Sequence, residues 1–227
     1  MNDTPTTRTV PLSLMAFAVF YGGMVCIAGV FANKQVALGP LAVEAGIFAF
    51  LLLVVTSSAI TEIYGKKAGQ RLVLFGFVPL IISSLLTLMI LNLPAAEEMD
   101  AQRLSAFNLM LGSTPRIWLA GIAAYGISTM LNVWIFDRLK GPGGNGLLWF
   151  RSAAAGVISQ ALDTLIFISI AFYGVFPILD LMLGQMLAKV VLSALAFPPL
   201  IYLMVALAHR LDGTTPPAQA RAPAGGG

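Results

Sequence analysis

The sequence predicts an all-α fold, a polytopic integral membrane protein with six transmembrane helices. Of the 227 residues, 58% are hydrophobic and only 10% are charged, whereas a soluble domain has about 25% charged residues. Several apolar runs are about 20 residues long, enough to cross a hydrocarbon core of about 30 Å. No basic stripe exceeds three residues, so a nucleic-acid-binding protein is not expected.

Six apolar runs define one transmembrane domain over residues 12–210. The predicted spans are 12–32, 42–62, 70–93, 116–136, 153–174 and 180–208. The sixth run is longer than a bilayer requires and contains "FPPL" at 197–200, so we expect a kink or a tilt there. Residues 94–115 begin acidic and become amphipathic, which predicts a short interfacial helix on the outer side.

The basic residues in the loops and at the ends of the spans predict how the chain is oriented. Nine lie on one side, namely Arg8, Lys66, Lys67, Arg71, Arg138, Lys140, Arg151, Arg210 and Arg221, and three on the other, namely Lys34, Arg103 and Arg116. Because basic residues concentrate on the cytoplasmic side, both termini are predicted to be cytoplasmic. Residues 1–11 form a polar tail, "KGPGGNG" at 140–146 a tight inner loop, and residues 211–227 a disordered tail.

Three ionisable residues stand out, namely Glu62 near the inner end of the second span, Asp163 near the middle of the fifth and Lys189 near the middle of the sixth. A charge at the bilayer centre costs about 2.5–3.5 kcal/mol and must face a partner or a wet cavity. Helical spacing places Asp163 in a polar stripe with Gln160, edged by Phe167. Asn132 lies on a polar face of the fourth span. We expect these faces to converge on one polar cavity, a small-molecule site.

Each of these residues also has a structural interpretation. Asp163 and Lys189 could simply neutralise one another, and Glu62 could pair with Lys66 at the membrane interface. Gln160 and Asn132 could equally form hydrogen bonds between helices. Arg151 could equally be an anchor at the inner side of the membrane.

Catalysis and metal binding are not indicated. The chain has one cysteine, Cys26, and one histidine, His209, so a His and Cys metal cluster is not expected and we predict no cofactor. A hydrolase that uses a serine needs a base beside it, and His209 is remote from the central polar face. We therefore predict that the protein is not an enzyme.

Several segments carry a family resemblance by their order and spacing. They are "ANK" at 32–34, "TEIYGKKAGQR" at 61–71, "FN" at 107–108, "GSTPRIWLA" at 112–120, "VWIFDRLK" at 133–140, "LLWFRSAAAGVISQALDTLIFISIAFYG" at 147–174 and "LAKVVLSALAFPPLIY" at 187–202. From about residue 29 to 207, the chain resembles the queuosine precursor transporter family, also described as "putative vitamin uptake transporters". The resemblance implies a homo-oligomer, expected to be a dimer, in the bacterial inner membrane. It also implies uptake of 7-deazaguanines such as 7-cyano- or 7-aminomethyl-7-deazaguanine.

The sequence departs from the family at two acidic positions. The acid usual four residues before Glu62 is Ser58 here, and the acid usual at position 132 is Asn132, whereas Glu62 and Asp163 remain. A carboxylate can accept two adjacent N–H groups of a purine-like base, and an aromatic ring can stack on it. The candidate substrate-binding residues are Glu62, Asp163, Gln160, Asn132, Lys189, Asn33, Asn108, Phe167 and Arg151.

A second function fits the same features. A substrate-capture subunit of a multi-component, ATP-driven vitamin importer would also be a short-looped helical membrane protein. The sequence has no GxxxxGK[ST] phosphate loop, so the ATPase would be a separate chain. The source of energy stays open between a proton carried by Glu62 or Asp163 and facilitated diffusion.

Overall fold

The computed structural model describes residues 10–138 and 148–214, which are almost entirely helical. The helices are α1 (Leu12–Phe31), α2 (Gly46–Tyr64), α3 (Lys66–Leu91), α4 (Ala101–Arg138), α5 (Leu148–Phe172), α6 (Ile178–Leu195) and α7 (Phe197–Leu211), with a hairpin of β1 (Gln35–Leu38) and β2 (Leu41–Glu44). Helices α1, α2 and α3 are each long and apolar enough to cross a membrane. The coarse prediction of a helical membrane protein is therefore supported, while six spans and cytoplasmic termini stay predictions. The loop predicted at 140–146 and most of both tails lie outside the described residues.

The surface of the described bundle is itself strongly apolar. Large side chains such as Val19, Leu74, Phe75 and Leu85 are more than half exposed. In water this would be an aggregation hazard, but it is the surface that lipid requires. Three buried apolar clusters hold the described elements together, one that includes Phe172, one that includes Ile60 and a smaller one of Val43, Ile47 and Ala188.

Helix α4 is longer than the sequence predicted. It runs without interruption for 38 residues, about 57 Å, so residues 101–115 are helical but continue into the fourth span. The helix begins at Ala101 because Asp100 caps it, its Oδ1 accepting the Arg103 N–H at 2.9 Å. Arg116 binds α4 to the end of α5, donating to the Ile170 carbonyl at 2.5 Å and the Tyr173 carbonyl at 2.9 Å.

The sixth predicted span is divided into two helices where the kink was expected. Helix α6 ends at Leu195 and α7 begins at Phe197. The prolines at 198 and 199 lack the N–H that a continuing helix needs, but they fit its first turn.

The hairpin was not predicted. Its strands are antiparallel, with Gln35 opposite Glu44, and the turn uses Gly39 at a φ of 61°, a conformation that glycine adopts at no steric cost. Helix α2 therefore begins at Gly46 and not at residue 42, because residues 41–44 pair with β1. A Cβ on Gly184 of α6 would collide with the Ala42 carbonyl oxygen, so this glycine lets the hairpin lie directly on α6.

A second polar contact joins the ends of α1, α2 and α7. Ser13 donates to Asp212 twice, from its N–H to Oδ1 at 2.8 Å and from Oγ to Oδ2 at 2.7 Å. Tyr64 Oη donates to Asp212 Oδ2 at 2.6 Å and also contacts Ser13 Oγ. The hydrogen bond from Tyr64, followed by that from the Ser13 N–H, lowers the pKa of Asp212.

The glycine beneath the hairpin can be tested with a single methyl group. Gly184→Ala should lower the free energy of unfolding by about 1–3 kcal/mol, because the methyl meets backbone that cannot rotate away. Gly23→Ala is the matched control, since a Cβ there meets nothing within 4 Å, and it should be neutral or stabilise by up to about 1 kcal/mol. Thermal unfolding in detergent measures both. Equal melting temperatures for the two variants would contradict the close approach of the hairpin to α6.

The Asp212 contact predicts a pH dependence of stability. Because folding lowers the pKa of Asp212, its contribution is present above the ordinary value of about 3.9 and is lost as pH falls through the folded value. Asp212→Asn should therefore unfold more easily than the native protein at pH 7, by about 1 kcal/mol, and by less in acid. Melting temperatures between pH 7 and 3 measure the difference, and Tyr64→Phe should reduce it in part. A difference that stays constant over this range would refute the role of Asp212.

Candidate functional site

A polar network lies between α4, α5 and α6. Lys189 Nζ is 2.8 Å from Asp163 Oδ2 and donates to Thr164 Oγ1 at 3.1 Å. On the other side of the carboxylate, Ser128 Oγ donates to Asp163 Oδ1 at 3.2 Å. The side chains of Lys189 and Asp163 are only 14% and 16% exposed, so the bundle shields this ion pair from the surface.

Helix α2 completes the surroundings of Lys189. The ammonium nitrogen lies 5.2 Å from the centre of the Phe50 ring, within the distance at which an aromatic face attracts a cation. The same charge is therefore held by a carboxylate from α5 and a ring from α2. The sequence indicated that Asp163 and Lys189 could neutralise one another, and the structure brings them into direct contact.

A second buried polar pair lies one helical turn away along α6. Gln185 Nε2 donates to Glu44 Oε1 at 2.7 Å, joining α6 to the end of β2. Glu44 is 4% exposed and Gln185 is 3% exposed. Among the described residues, the second carboxylate oxygen of Glu44, Oε2, and the amide oxygen of Gln185, Oε1, have no hydrogen-bond partner.

Burial dominates the electrostatics of Glu44, which lies in the hairpin between the spans α1 and α2. Burial raises the pKa of this carboxyl to about 7. Four smaller effects lower the pKa: the hydrogen bond from Gln185, the backbone amides of Gly46 and Ile47, and the charge of Lys189. Sequence reasoning missed Glu44 as a site residue. The signal was present, because residue 44 is an ionisable group inside the predicted span 42–62, the criterion that selected Glu62.

Two of the other predicted residues lie away from this network. Glu62 is exposed near the end of α2, 12 residues or about 18 Å along the helix from Phe50. Asn33 fastens the end of α1 to α4, donating to Thr114 Oγ1 at 3.1 Å and accepting from Ser113 Oγ. In this structure Asn33 therefore has a structural contact.

The remaining candidates divide by their surroundings. Phe167 is half-buried and packs edge-on against Phe172, with ring centres 5.9 Å apart. Gln160 and Asn108 are exposed. Helices α5 and α4 contain Arg151 and Asn132, but the side chains of these two residues lie outside what the structure describes. A surface depression at the turn between α5 and α6, lined by residues 173–174 and 176–180, does not include the buried network.

Shielded polar groups inside an apolar helical bundle are the features of a membrane carrier for a small polar molecule. The chain belongs to the family described as "Putative vitamin uptake transporter", which matches residues 44–204. It is similar to the "Probable queuosine precursor transporter" of Bacillus subtilis (strain 168), with 27% identity over 195 residues, covering 81% of each chain. No solved structure matches the chain significantly. The family resemblance is confirmed, and because the family comprises transporters, the protein is not an enzyme.

A double-mutant cycle tests the coupling of Asp163 and Lys189. Asp163→Asn and Lys189→Met each leave one charge unpaired and should each cost about 2–3 kcal/mol, somewhat below the 3–5 kcal/mol of a fully buried pair. The double variant leaves no unpaired charge and should cost much less than the sum. Chemical denaturation in mixed micelles measures the three values, with the exposed Glu97→Gln as a control within about 0.5 kcal/mol of native. Additive costs would contradict direct coupling.

Proposed function

We propose that the protein imports a queuosine precursor of the 7-deazaguanine class, 7-cyano- or 7-aminomethyl-7-deazaguanine, across the bacterial inner membrane. Membership of a vitamin uptake family and the name of the Bacillus subtilis relative support this substrate class. The observation that carries the proposal is the shielded Asp163–Lys189 pair, because it offers a flat polar base both an anion and a cation.

The chemistry of the base matches these two groups. A 7-deazaguanine presents its N1–H and its exocyclic amine side by side, and a carboxylate can accept both together. Each carboxylate oxygen has two lone pairs, so Asp163 keeps acceptor capacity beside Lys189 and Ser128. Lys189 has three N–H donors, of which Asp163 and Thr164 engage two, and a third could reach the carbonyl oxygen of the base.

In this proposal the base and the ion pair compete for the same atoms. Binding to Asp163 weakens its contact with Lys189, which is a contact between α5 and α6. Substrate entry would therefore loosen these two helices, and substrate release would let the ion pair re-form. This competition links occupancy to helix movement without requiring any other device.

The finer sequence predictions remain part of the proposal. Phe167, one turn after Asp163, would stack on the ring, and Gln160 and Asn132 would donate to its carbonyl oxygen. Glu62, Asn33, Asn108 and Arg151 would line the path of the base. The protein would act as a homodimer, with six spans formed by α1, α2, α3, α4, α5 and the α6–α7 pair, and with both termini in the cytoplasm.

Uptake of a labelled 7-deazaguanine, by cells that cannot synthesise it, tests this function. The native protein should restore uptake, and Asp163→Asn should reduce it about 30–100-fold, the equivalent of about 2–3 kcal/mol of charge-assisted hydrogen bonding. Asp180→Asn is the matched control, because it removes an exposed acid at the start of α6.

Two outcomes would count against the proposal. No uptake by cells producing the native protein would remove the substrate assignment, and undiminished uptake by Asp163→Asn would remove that residue from the mechanism. The same label with purified protein in liposomes addresses the second candidate function. Uptake in cells without transport in liposomes would favour a substrate-capture subunit that needs a separate ATPase.

A further inference from the structure

The Glu44–Gln185 pair presents a chemical problem that the proposed base-binding site does not explain. Both side chains are almost fully buried, and one hydrogen bond joins them. Among the described residues, Glu44 Oε2 and Gln185 Oε1 both lack a partner, and both are acceptors when the carboxyl is ionised. A buried polar group without a partner costs about 1–3 kcal/mol, and more when it is charged.

At the start of α2 the backbone amides of Gly46 and Ile47 favour the charged carboxylate. The other neighbouring elements supply little to compensate a negative charge. Across the hairpin Glu44 faces the neutral Gln35, and α1 approaches through Ala28 and Ala32 beside Gly46. From α6, Lys189 acts on Glu44 electrostatically, but its ammonium group is 2.8 Å from Asp163. This cation is therefore already neutralised by another carboxylate.

We infer that Glu44 is a proton-binding site, which carries a proton on Oε2 in this conformation and couples import to the proton gradient. Protonation adds one O–H bond to the carboxylate and involves no other reactant than a proton from water. It removes the buried charge and converts Glu44 Oε2 from an acceptor without a partner into a donor. Opening of the hairpin from α6 would hydrate the carboxyl and allow the proton to leave on the other side.

Lys189 provides the link between this proton and the substrate. An ionised Glu44 would compete with Asp163 and the base for the ammonium group, whereas a neutral Glu44 does not. Proton binding and base binding therefore favour each other reciprocally, which links the occupancy of the two sites. This link rests on the proposed function, but protonation of Glu44 does not.

Infrared spectroscopy tests the protonation without any substrate. Native protein in lipid vesicles at pH 7 should show the C=O stretching band of a protonated carboxyl group, and Glu44→Gln should lose it. Glu97→Gln, the same change at an exposed loop position, should keep it. If Glu44→Gln does not fold, Gln185→Leu is the alternative. It should move the band to higher frequency, because Glu44 Oε1 loses the hydrogen bond from Gln185 Nε2. Absence of the band at pH 7, or a band unaffected by these variants, overturns the proposal.

Transport under an imposed pH gradient tests the coupling. With acid outside and the membrane potential clamped at zero, one proton per base supports about tenfold accumulation per pH unit. The native protein should approach this ratio, and Glu44→Gln should lose the stimulation by the gradient. Accumulation by the native protein that ignores the gradient overturns the coupling. If the native protein transports no 7-deazaguanine, the proposed function fails, while the infrared result still decides whether Glu44 binds a proton.

Discussion

The ammonium group of Lys189 is the charge on which the arrangement of this bundle depends. An unpaired cation in an apolar helix would be costly in a bilayer. Contacts from several helices stabilise this charge in the structure. Asp163 and Thr164 come from α5, the ring of Phe50 comes from α2, and Ser128 of α4 orients the carboxylate. Four helices are thus fixed around one charge, and the pairing decides which faces turn inward.

The two polar pairs along α6 solve the problem of burial differently. Asp163 and Lys189 neutralise one another and are connected to two hydroxyl groups. Glu44 has an amide as its hydrogen-bond partner, and an amide cannot cancel a charge. The two charges of the first pair therefore offset one another, whereas the second pair contains no counter-charge for its carboxyl group. One helical face thus combines a fixed charge pair with a group whose charge depends on its surroundings.

The sequence anticipated the parts of the structure that depend on composition and spacing. Apolar runs located the helices, the two prolines located the break between α6 and α7, and helical spacing brought Asp163 towards Lys189. The hairpin was not predicted because its sequence, "QVALGPLAVE", is apolar enough to look like the segment that leads into a helix. Its strands depend on backbone pairing, which hydrophobicity does not report. Glu44 is an ionisable residue inside the predicted span 42–62, but its partner Gln185 is distant in sequence and no local pattern joins the two.

The break between α6 and α7 has a mechanical consequence. Ala196 still donates to the Leu192 carbonyl and Leu200 to the Ala196 carbonyl, but the prolines at 198 and 199 cannot donate to the carbonyls of residues 194 and 195. Two backbone hydrogen bonds of a continuous helix are therefore absent, because proline has no N–H. Bending at this point breaks no hydrogen bond at those two positions. The joint between α6 and α7 is therefore flexible, while each helix stays rigid. Helix α6, which carries Lys189, can tilt at this joint while the end of α7 stays bound to α1 and α2 through Asp212.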